Sequence, residues 1–489
     1  MMSLISTWPR RLAVAIVTML LVVGAMMVRA HYQGDTGVWN IGETMKRLAA
    51  LPLLAGLAVL AFTTAWSAST AQAAGVKESA SPTMTAPAKP FLAQVVGLEW
   101  MNPLQRRDYP TEWQLLWTMG LVKPNKNDDM VRKDPKGFSA IQAAAGIADG
   151  NNGRESFDGF YQKYIESVFV LFGTKYVMNS RYFYTVQSSN QKNWRELAGI
   201  HIELAIPSRL DSEKAKNYLV KEVTSEFNIG NQNFKDLWSK STPPDVRVHV
   251  GGTNAGFTSL NAALDYLQTH PQESVWVMNW DAPSFPPKDQ QINENLTLLF
   301  LAGPELKTER EPLAWIGKAA TGNVGDYEAK VGTTKAVQAW KATIADAAHN
   351  ANVDPASIQF IVHDAGKGSD AASTRLGSLS QTLTETLPEF DYPKQTFNTS
   401  ALLGEMGAGT ALTNVALAIG RANHFGGNTL VAGTHDAAHP MAVVVVPPSK
   451  LTPIDPDKDW FRARGEDNAY LPWWGRRFDT NYGVQGYSY

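Results

Sequence analysis

The sequence predicts an α/β protein whose mixed sheets are covered by helices, and three observations support this class. From Phe91 onward, short apolar runs of strand length alternate with stretches of helical periodicity. This alternation occurs in two successive sets, which is typical of sheets buried between helices. Hydrophobic residues make up 44% of the 489 residues and charged residues 18%, so the chain can bury a sizeable apolar core.

The first set of elements begins with strand-like "FLAQVVGLEW" and "RELAGIHIELAIP", the second of which ends at Pro207. The segment "SEKAKNYLVKEVTSEF" has helical periodicity, with Ser212 as the expected N-cap. After the break at Pro243 and Pro244 come the strand "VRVHV", the helix "FTSLNAALDYLQTH" and the strands "SVWVMNW", "LTLLFLAG" and "PLAWIG".

The second set repeats this pattern. It contains the helix "TKAVQAWKATIADAAHNA", the strand "SIQFIVHDAG", a helix through "ALTNVALAIGRA" and the strands "NTLVAGTH" and "MAVVVVPP". Two sets of comparable pattern indicate either two domains or one pseudo-duplicated fold. We place an N-terminal domain at residues 91–244, a C-terminal domain at 245–448 and a C-terminal arm at 449–489.

Hydrophobic segments precede the folded part of the chain. The apolar run from Leu12 to Val28 follows two arginines, and the run from Leu48 to Trp66 follows Lys46 and Arg47. Each run is near the minimum length of a transmembrane helix. Residues 1–73 are therefore expected to form a membrane anchor or signal region, followed by a flexible linker at 74–90 that is rich in Ala, Ser, Thr and Pro.

Two topologies remain open for this region. If both runs cross the inner membrane as a hairpin, the main body faces the cytoplasm. The segment that starts at Met45 also has the form of a signal peptide with cleavage near Ala73, which would make the body periplasmic. We favour the hairpin, because the first run would otherwise have no purpose.

Charge and cysteine content exclude several functional classes. The net charge is -2, which gives no long-range attraction for nucleic acid. The count of zero cysteines excludes thiolate catalysis, iron–sulfur clusters and zinc sites built on cysteine. His435 and His439 have a spacing that could bind metal on a helix, but Pro440 favours a loop there, so no metal and no cofactor is predicted.

Two segments resemble the thiolase-like condensing enzymes, the β-ketoacyl synthases. In "NVDPASIQFIVHDAGKGSDA", His363 and Gly366 match the histidine-glycine turn that follows a strand in that family. In "TFNTSALLGEMGAG", Asn398 and Gly404 match a second family segment, whose histidine falls on Ala401. The resemblance implies a thiolase-like fold.

The family's nucleophilic cysteine is missing. Its place falls in the strand-to-helix turn of "HVGGTNAGFTSLNAALDYL", where the candidates are Thr253 and Asn254. A condensing enzyme needs a thiolate and two histidines, so we predict a vestigial, non-catalytic site formed by His363, Thr253, Asn254 and Asn398. His363 is expected to be a structural histidine, and Asp364 and Asp370 are expected to cap the turn and the following helix.

The C-terminal arm has a different composition, with many aromatic and arginine side chains and few aliphatic ones. Such residues dominate the energetics of protein interfaces. The partner-binding candidates are Trp460, Arg462, Arg464, Tyr470, Trp473, Trp474, Arg476 and Arg477. The alternative is an arm that folds back on its own domain.

Taken together, the paired apolar runs, "VWVMNWDAPSFPPKDQQINENLTLLFLAGP" and "DPDKDWFRARGEDNAYLPWWGRR" resemble the type VI secretion lipase adaptor family. This resemblance implies a non-catalytic adaptor, with a role in bacterial virulence, that binds a lipase effector toxin and delivers it to the secretion spike protein. The alternative function is an acyl-binding or weakly acyl-hydrolysing protein centred on His363. Because thiolase-like proteins usually pair through their sheets, the analogy also leaves a homodimer open.

Overall fold

The computed structural model describes residues 90–101, 115–116, 118–121, 196–281, 295–307, 311–387 and 389–454. These residues belong to a compact unit that spans Lys89–Tyr489. The predicted membrane anchor, almost all of the linker and the arm beyond Ile454 lie outside the described ranges. Within those ranges, no helix combines the length and the apolar character that a bilayer-spanning segment requires.

The strands in the described ranges are short and largely apolar. In chain order they are β1 Ala93–Met101, β2 His201–Pro207, β3 Asp245–Gly251, β4 Ser274–Asp281, β5 Asn295–Ala302, β6 Ala314–Ile316, β7 Ala320–Thr321, β8 Ile358–His363, β9 Thr396–Asn398, β10 Asn428–Gly433 and β11 Met441–Val446.

Helices lie between several of these strands in the chain. They are α1 Ser212–Glu226, α2 Ala255–Thr269, α3 Lys335–Asn350, α4 Asp370–Thr386, α5 Tyr392–Gln395, α6 Thr399–Leu403 and α7 Thr410–Phe425. The expected N-cap of α1 is off by one residue. The side chain of Asp211, not of Ser212, accepts hydrogen bonds from the amides of Glu213 and Lys214.

The strands in these ranges form one 11-stranded mixed sheet in the order β3-β2-β4-β5-β1-β6-β11-β10-β8-β9, with β7 beside β11. The strands β3, β2 and β4 are parallel, as are β10, β8 and β9. The hairpins β4–β5 and β10–β11 are antiparallel. The predicted class, α/β with a mixed sheet covered by helices, is confirmed.

The connectivity reveals a pseudo-duplication. We call β2 to β5, residues 201–302, the N-terminal half, and β8 to β11, residues 358–446, the C-terminal half. In each half the first strand lies between the second and the third, and the fourth is antiparallel to the third. Strands β1 and β6 join the halves into one sheet. The domain boundary at residues 244 and 245 lies between α1 and β3, inside the N-terminal half, and stays a prediction.

Helices α2 and α7 pack together in the main core. A Cβ atom at Gly256 would lie 3.0 Å from the Cβ of Ala411, so the two helix backbones approach closely at this point. Alternating residues of β4 divide between two cores, because successive side chains of a strand point to opposite faces. Val275 and Val277 belong to the core of α2 and α7, whereas Trp276 packs with α1.

Candidate functional site

The histidine that the sequence places at a strand end is the last residue of β8. The apolar strand "IQFIVH" lies between β10 and β9, which leaves the His363 side chain 1% exposed. The chain then turns through Gly366 and Gly368, both at positive φ, a conformation that favours glycine. The next helix, α4, is capped by Ser369, whose hydroxyl accepts from the amide of Ala372 at 3.1 Å.

Both ring nitrogens of His363 are engaged. The amide of Ala365 donates to Nδ1 at 3.3 Å, so the ring hydrogen belongs on Nε2, which lies 3.2 Å from the hydroxyl oxygen of Tyr392. Burial lowers the pKa of His363 from 6.5 to about 4, and burial raises the pKa of Tyr392 to about 12. At neutral pH the two side chains are therefore an uncharged, hydrogen-bonded pair.

Asp364 does not cap the turn as the sequence suggested, and Ser369 rather than Asp370 is the N-cap of α4. Instead, Asp364 Oδ1 accepts from the amide and the hydroxyl of Thr434, at 2.6 and 2.7 Å. Its other oxygen, Oδ2, is buried and has no hydrogen-bond partner among the described residues. Burial raises the pKa of this carboxyl group, which favours the neutral acid.

Asn398 holds the glycine turn to the neighbouring strand. Its Nδ2 donates to the carbonyl of Gly366 at 2.8 Å, and its Oδ1 accepts from the amides of Gly366 and Ala401, at 3.1 and 3.2 Å. Ala401, at the place of the family's second histidine, contributes only this backbone group to the bond network. The side chain of Asn398 is thus occupied by structural hydrogen bonds.

Thr253 and Asn254 lie in the turn between β3 and α2. Asn254 occupies the N-cap position but forms no side-chain cap hydrogen bond, and its buried Oδ1 has no partner among the described residues. A Cβ atom at Gly433 would lie 2.7 Å from that oxygen. Because Ala432 is paired with His363 in the β8–β10 ladder, the start of α2 lies beside the strand ends that carry His363 and Asp364.

The loop with the metal-like spacing lies between β10 and β11, as the sequence indicated. Asp436 Oδ1 accepts from the amides of Ala438 and His439, and its Oδ2 lies 3.0 Å from His439 Nδ1. These contacts join Asp436 to His439 within the loop, whereas His435 Nδ1 lies 3.6 Å from Glu405 Oε2. Within the described part of the chain, no group of histidine and acidic side chains is arranged to hold a metal ion.

A charged cluster that the sequence reasoning missed lies on β2 and β3. Glu203 is fully buried, and its two carboxylate oxygens lie 2.6 Å from His201 Nε2 and 2.5 Å from His249 Nε2. Burial alone would raise the pKa of Glu203, but the two histidines more than offset this and hold the pKa below 4.5. The signal was available in "HIELAIP", where His201 and Glu203 alternate with apolar residues on an otherwise apolar strand.

His201 contacts Asp245 and Tyr266 in addition to Glu203. Its Nδ1 lies 3.0 Å from Asp245 Oδ2, and its ring stacks on Tyr266 with 4.1 Å between centroids. Both ring nitrogens face carboxylate oxygens, so a ring hydrogen on either nitrogen has an acceptor. Carboxylate and imidazole groups thus alternate along the cluster, and it fastens β3 to β2 through side chains as well as through the ladder.

Residues 324–447 match the family described as Type VI lipase adapter protein Tla3, C-terminal. The resemblance to the type VI lipase adaptor family is thereby confirmed for this part of the chain. No curated protein is significantly similar to the chain.

The solved structures that are similar to this chain include ketosynthases. A Streptomyces albus oxazolomycin ketosynthase domain is 12% identical, with 76% of this chain and 100% of that chain covered and a TM-score of 0.45. The ketosynthase from module 6 of the Bacillus subtilis bacillaene synthase is 10% identical, with 74% and 72% covered and a TM-score of 0.45.

Proposed function

We propose that this chain is a non-catalytic adaptor of a bacterial type VI secretion system that binds a lipase effector toxin and helps to load it onto the spike protein. The observation that carries the proposal is the match of residues 324–447 to the lipase adapter family. An adaptor requires a stable frame and a binding surface, but no reacting groups.

The geometry at the strand ends supports a role without catalysis. A condensing enzyme takes the acyl group on a thiolate, and this chain contains no cysteine. The amide side chain of Asn254, at the start of α2, is not a nucleophile. Both ring nitrogens of His363 and both polar side-chain atoms of Asn398 are already engaged in hydrogen bonds with neighbouring groups of the chain.

We place partner binding on the arm, at the aromatic and arginine residues between Trp460 and Arg477, which lie outside the described ranges. Trp, Tyr and Arg bury large areas and make directional contacts, which is why they dominate interface energetics. A toxin must be met before export, so we place the body on the cytoplasmic face of the inner membrane. Cleavage near Ala73 would instead make the body periplasmic.

Co-purification of the full chain with the lipase effector and the spike protein of the same secretion gene cluster tests the proposal. Replacing Trp473 and Trp474 by Ala should weaken effector capture by at least about tenfold, since interface aromatic residues contribute about 2 kcal/mol or more. His363→Gln is the matched control, because it alters the vestigial site and should leave capture unchanged. A folded chain that captures neither partner would contradict the proposal.

A second candidate function is acyl binding, or weak acyl hydrolysis, at the vestigial site. It is favoured by two buried oxygens without partners in the described residues, Asp364 Oδ2 and Asn254 Oδ1, near the end of β10. Under this function, His363→Ala abolishes acyl-ligand binding or turnover and leaves effector capture intact. The adaptor proposal predicts no acyl turnover in the unaltered chain.

A further inference from the structure

The C-terminal end of α7 carries an exposed apolar surface beside an unusual cation. Phe425, the last residue of the helix, is 50% exposed, and Leu451 is 38% exposed. Leu451 lies against the residue that follows Phe425, since a Cβ atom at Gly426 would be 3.1 Å from Leu451 Cδ1. We call Arg421, Phe425 and Leu451 the α7-end patch. Large apolar side chains that are exposed at one helix end, rather than scattered singly, suggest a binding surface.

Arg421 lacks a carboxylate partner in the described part of the chain. Its guanidinium lies 5.0 Å from the ring centre of Phe360 and 5.2 Å from that of Phe425, and it donates to the carbonyl of Gly426. Burial lowers the pKa of Arg421, and no acidic group among the described residues offsets this effect. A half-buried guanidinium has a strong preference for a carboxylate, which it can bind with two parallel hydrogen bonds.

The chain leaves the described region directly beside this patch. The amide of Thr452 donates to the carbonyl of Asn423 at 3.1 Å, and the amide of Ile454 donates to His424 Nδ1 at 2.7 Å. Burial, together with the charge of Arg421, lowers the pKa of His424, which favours the neutral ring that can accept this bond. Ile454 also packs against the main core. The starting point of the following segment is therefore fixed.

That following segment has the chemistry that the α7-end patch lacks. It reads "DPDKDWF", with carboxylates at Asp455, Asp457 and Asp459 and aromatic rings at Trp460 and Phe461. An extended chain advances by about 3.3–3.6 Å per residue, so Trp460 stays within about 20 Å of Ile454. The carboxylates complement Arg421, and the rings complement Phe425 and Leu451.

We propose that Asp455–Phe461 docks on the α7-end patch, with a carboxylate on Arg421 and an aromatic ring over Phe425 and Leu451. Docking fixes the root of the arm and takes Trp460 out of the partner-binding set, so that the residues from Arg462 to Arg477 emerge from a defined point of the fold. This inference does not depend on the adaptor function. If the segment does not dock, the chain can still capture the effector, and if capture fails, the segment can still dock.

Hydrogen exchange of the backbone amides, followed by mass spectrometry of a peptide covering residues 455–461 in the full chain, tests the docking. We expect this peptide to exchange at least about tenfold more slowly than an unstructured chain. Arg421→Gln and Phe425→Ser should each remove most of that protection. Phe234→Ser is the matched control, because Phe234 is 53% exposed in the N-terminal half and should not affect the peptide.

A charge swap separates docking from simple proximity. Arg421→Glu should abolish protection, and adding Asp455→Lys, Asp457→Lys and Asp459→Lys to that variant should restore it. Thermal unfolding of each variant shows whether the body is still folded. The proposal is overturned if the peptide exchanges like an unstructured chain in the unaltered protein. It is equally overturned if the peptide is protected but Arg421→Gln and Phe425→Ser have no effect.

Discussion

The two halves of the sheet share one connectivity but differ in how they treat buried polar groups. In the N-terminal half, Glu203 is ionised and lies between two histidines. In the C-terminal half, His363 and Asp364 are buried; burial lowers the pKa of His363 to about 4, so that its ring is uncharged, and raises the pKa of the Asp364 carboxyl group. The family match covers residues 324–447, which includes all of the C-terminal half and none of the N-terminal half.

This difference shows that the repeated order of strands and helices does not depend on a particular polar site. Apolar alternation and helix packing are common to both halves, and each half has its own polar network. A charged network is sensitive to the loss of one member, because the remaining charge stays buried. A network that contains a buried neutral histidine is sensitive to pH, because protonation at low pH creates a buried charge that water does not solvate.

The largest expected effect is the loss of the charged cluster. Glu203→Ala leaves His201 with Asp245 as its remaining carboxylate contact, and it removes the carboxylate that contacts His249. We expect the free energy of unfolding to fall by about 3–5 kcal/mol, as is typical when one partner of a buried ion pair is removed. Urea unfolding of the full chain measures this change. A loss below about 1 kcal/mol would show that the cluster is not coupled to folding.

The next effect is a pH dependence specific to the C-terminal half. The pKa of His363 is depressed to about 4 from 6.5, so the unfolded chain takes up a proton before the folded chain does as the pH falls. The contribution of His363 is complete above pH 6.5 and is lost between pH 6.5 and about pH 4, amounting to about 3 kcal/mol.

Thermal unfolding midpoints measured across that range for the unaltered chain and for His363→Gln test this linkage. The variant is expected to start from a lower midpoint at pH 7, because it disturbs a buried pair, and to change less on acidification. Parallel curves for the two proteins would mean that His363 is not the group that titrates.

A smaller effect is expected for Asn398, whose side chain links the glycine turn to β9. Asn398→Ala removes the hydrogen bonds to Gly366 and Ala401 and should lower the free energy of unfolding by about 1–3 kcal/mol. The exposed Asn323, which also accepts a backbone amide, provides the control, and Asn323→Ala should cost less. Equal losses at the two sites in urea unfolding would contradict the role assigned to Asn398.

The smallest effect is expected from Asn254→Ala at the start of α2, and Ser369→Ala at the start of α4 serves as the comparison. Ser369→Ala removes the cap of α4 and should lower the free energy of unfolding by about 1 kcal/mol. Asn254→Ala removes a side chain that forms no cap bond and has a buried oxygen without a described partner, so stability should change by less than about 0.5 kcal/mol. If Asn254→Ala lowered the free energy of unfolding as much as Ser369→Ala does, the Asn254 side chain would have to form a stabilising hydrogen bond.

Local patterns predicted much of this fold. The alternation of apolar and polar residues located the strands and helices of both halves, and it indicated a repeated pattern. Exact helix starts were less accessible, because Asp211 and Ser212 are both good caps and only the backbone geometry selects Asp211. The order of the strands was not accessible either, since it depends on contacts between residues far apart in the chain.

The candidate site shows the same limit. Family resemblance singled out His363, Asn254 and Asn398, and the fold places all three near the ends of β8, β9 and β10. The role of Asp364 was missed because its partner, Thr434, lies 70 residues away. His249 was missed for the same reason: its contact with Glu203 exists only once β3 lies beside β2.

The most direct test of the adaptor function is the affinity of the full chain for the lipase effector of its own secretion system, measured by titration calorimetry. The adaptor function predicts a stable complex whose affinity is the same for the unaltered chain and for His363→Gln, and lower by at least about tenfold when Trp473 and Trp474 are replaced by Ala. Absence of binding by a folded chain, or binding that is lost with His363 alone, would contradict it.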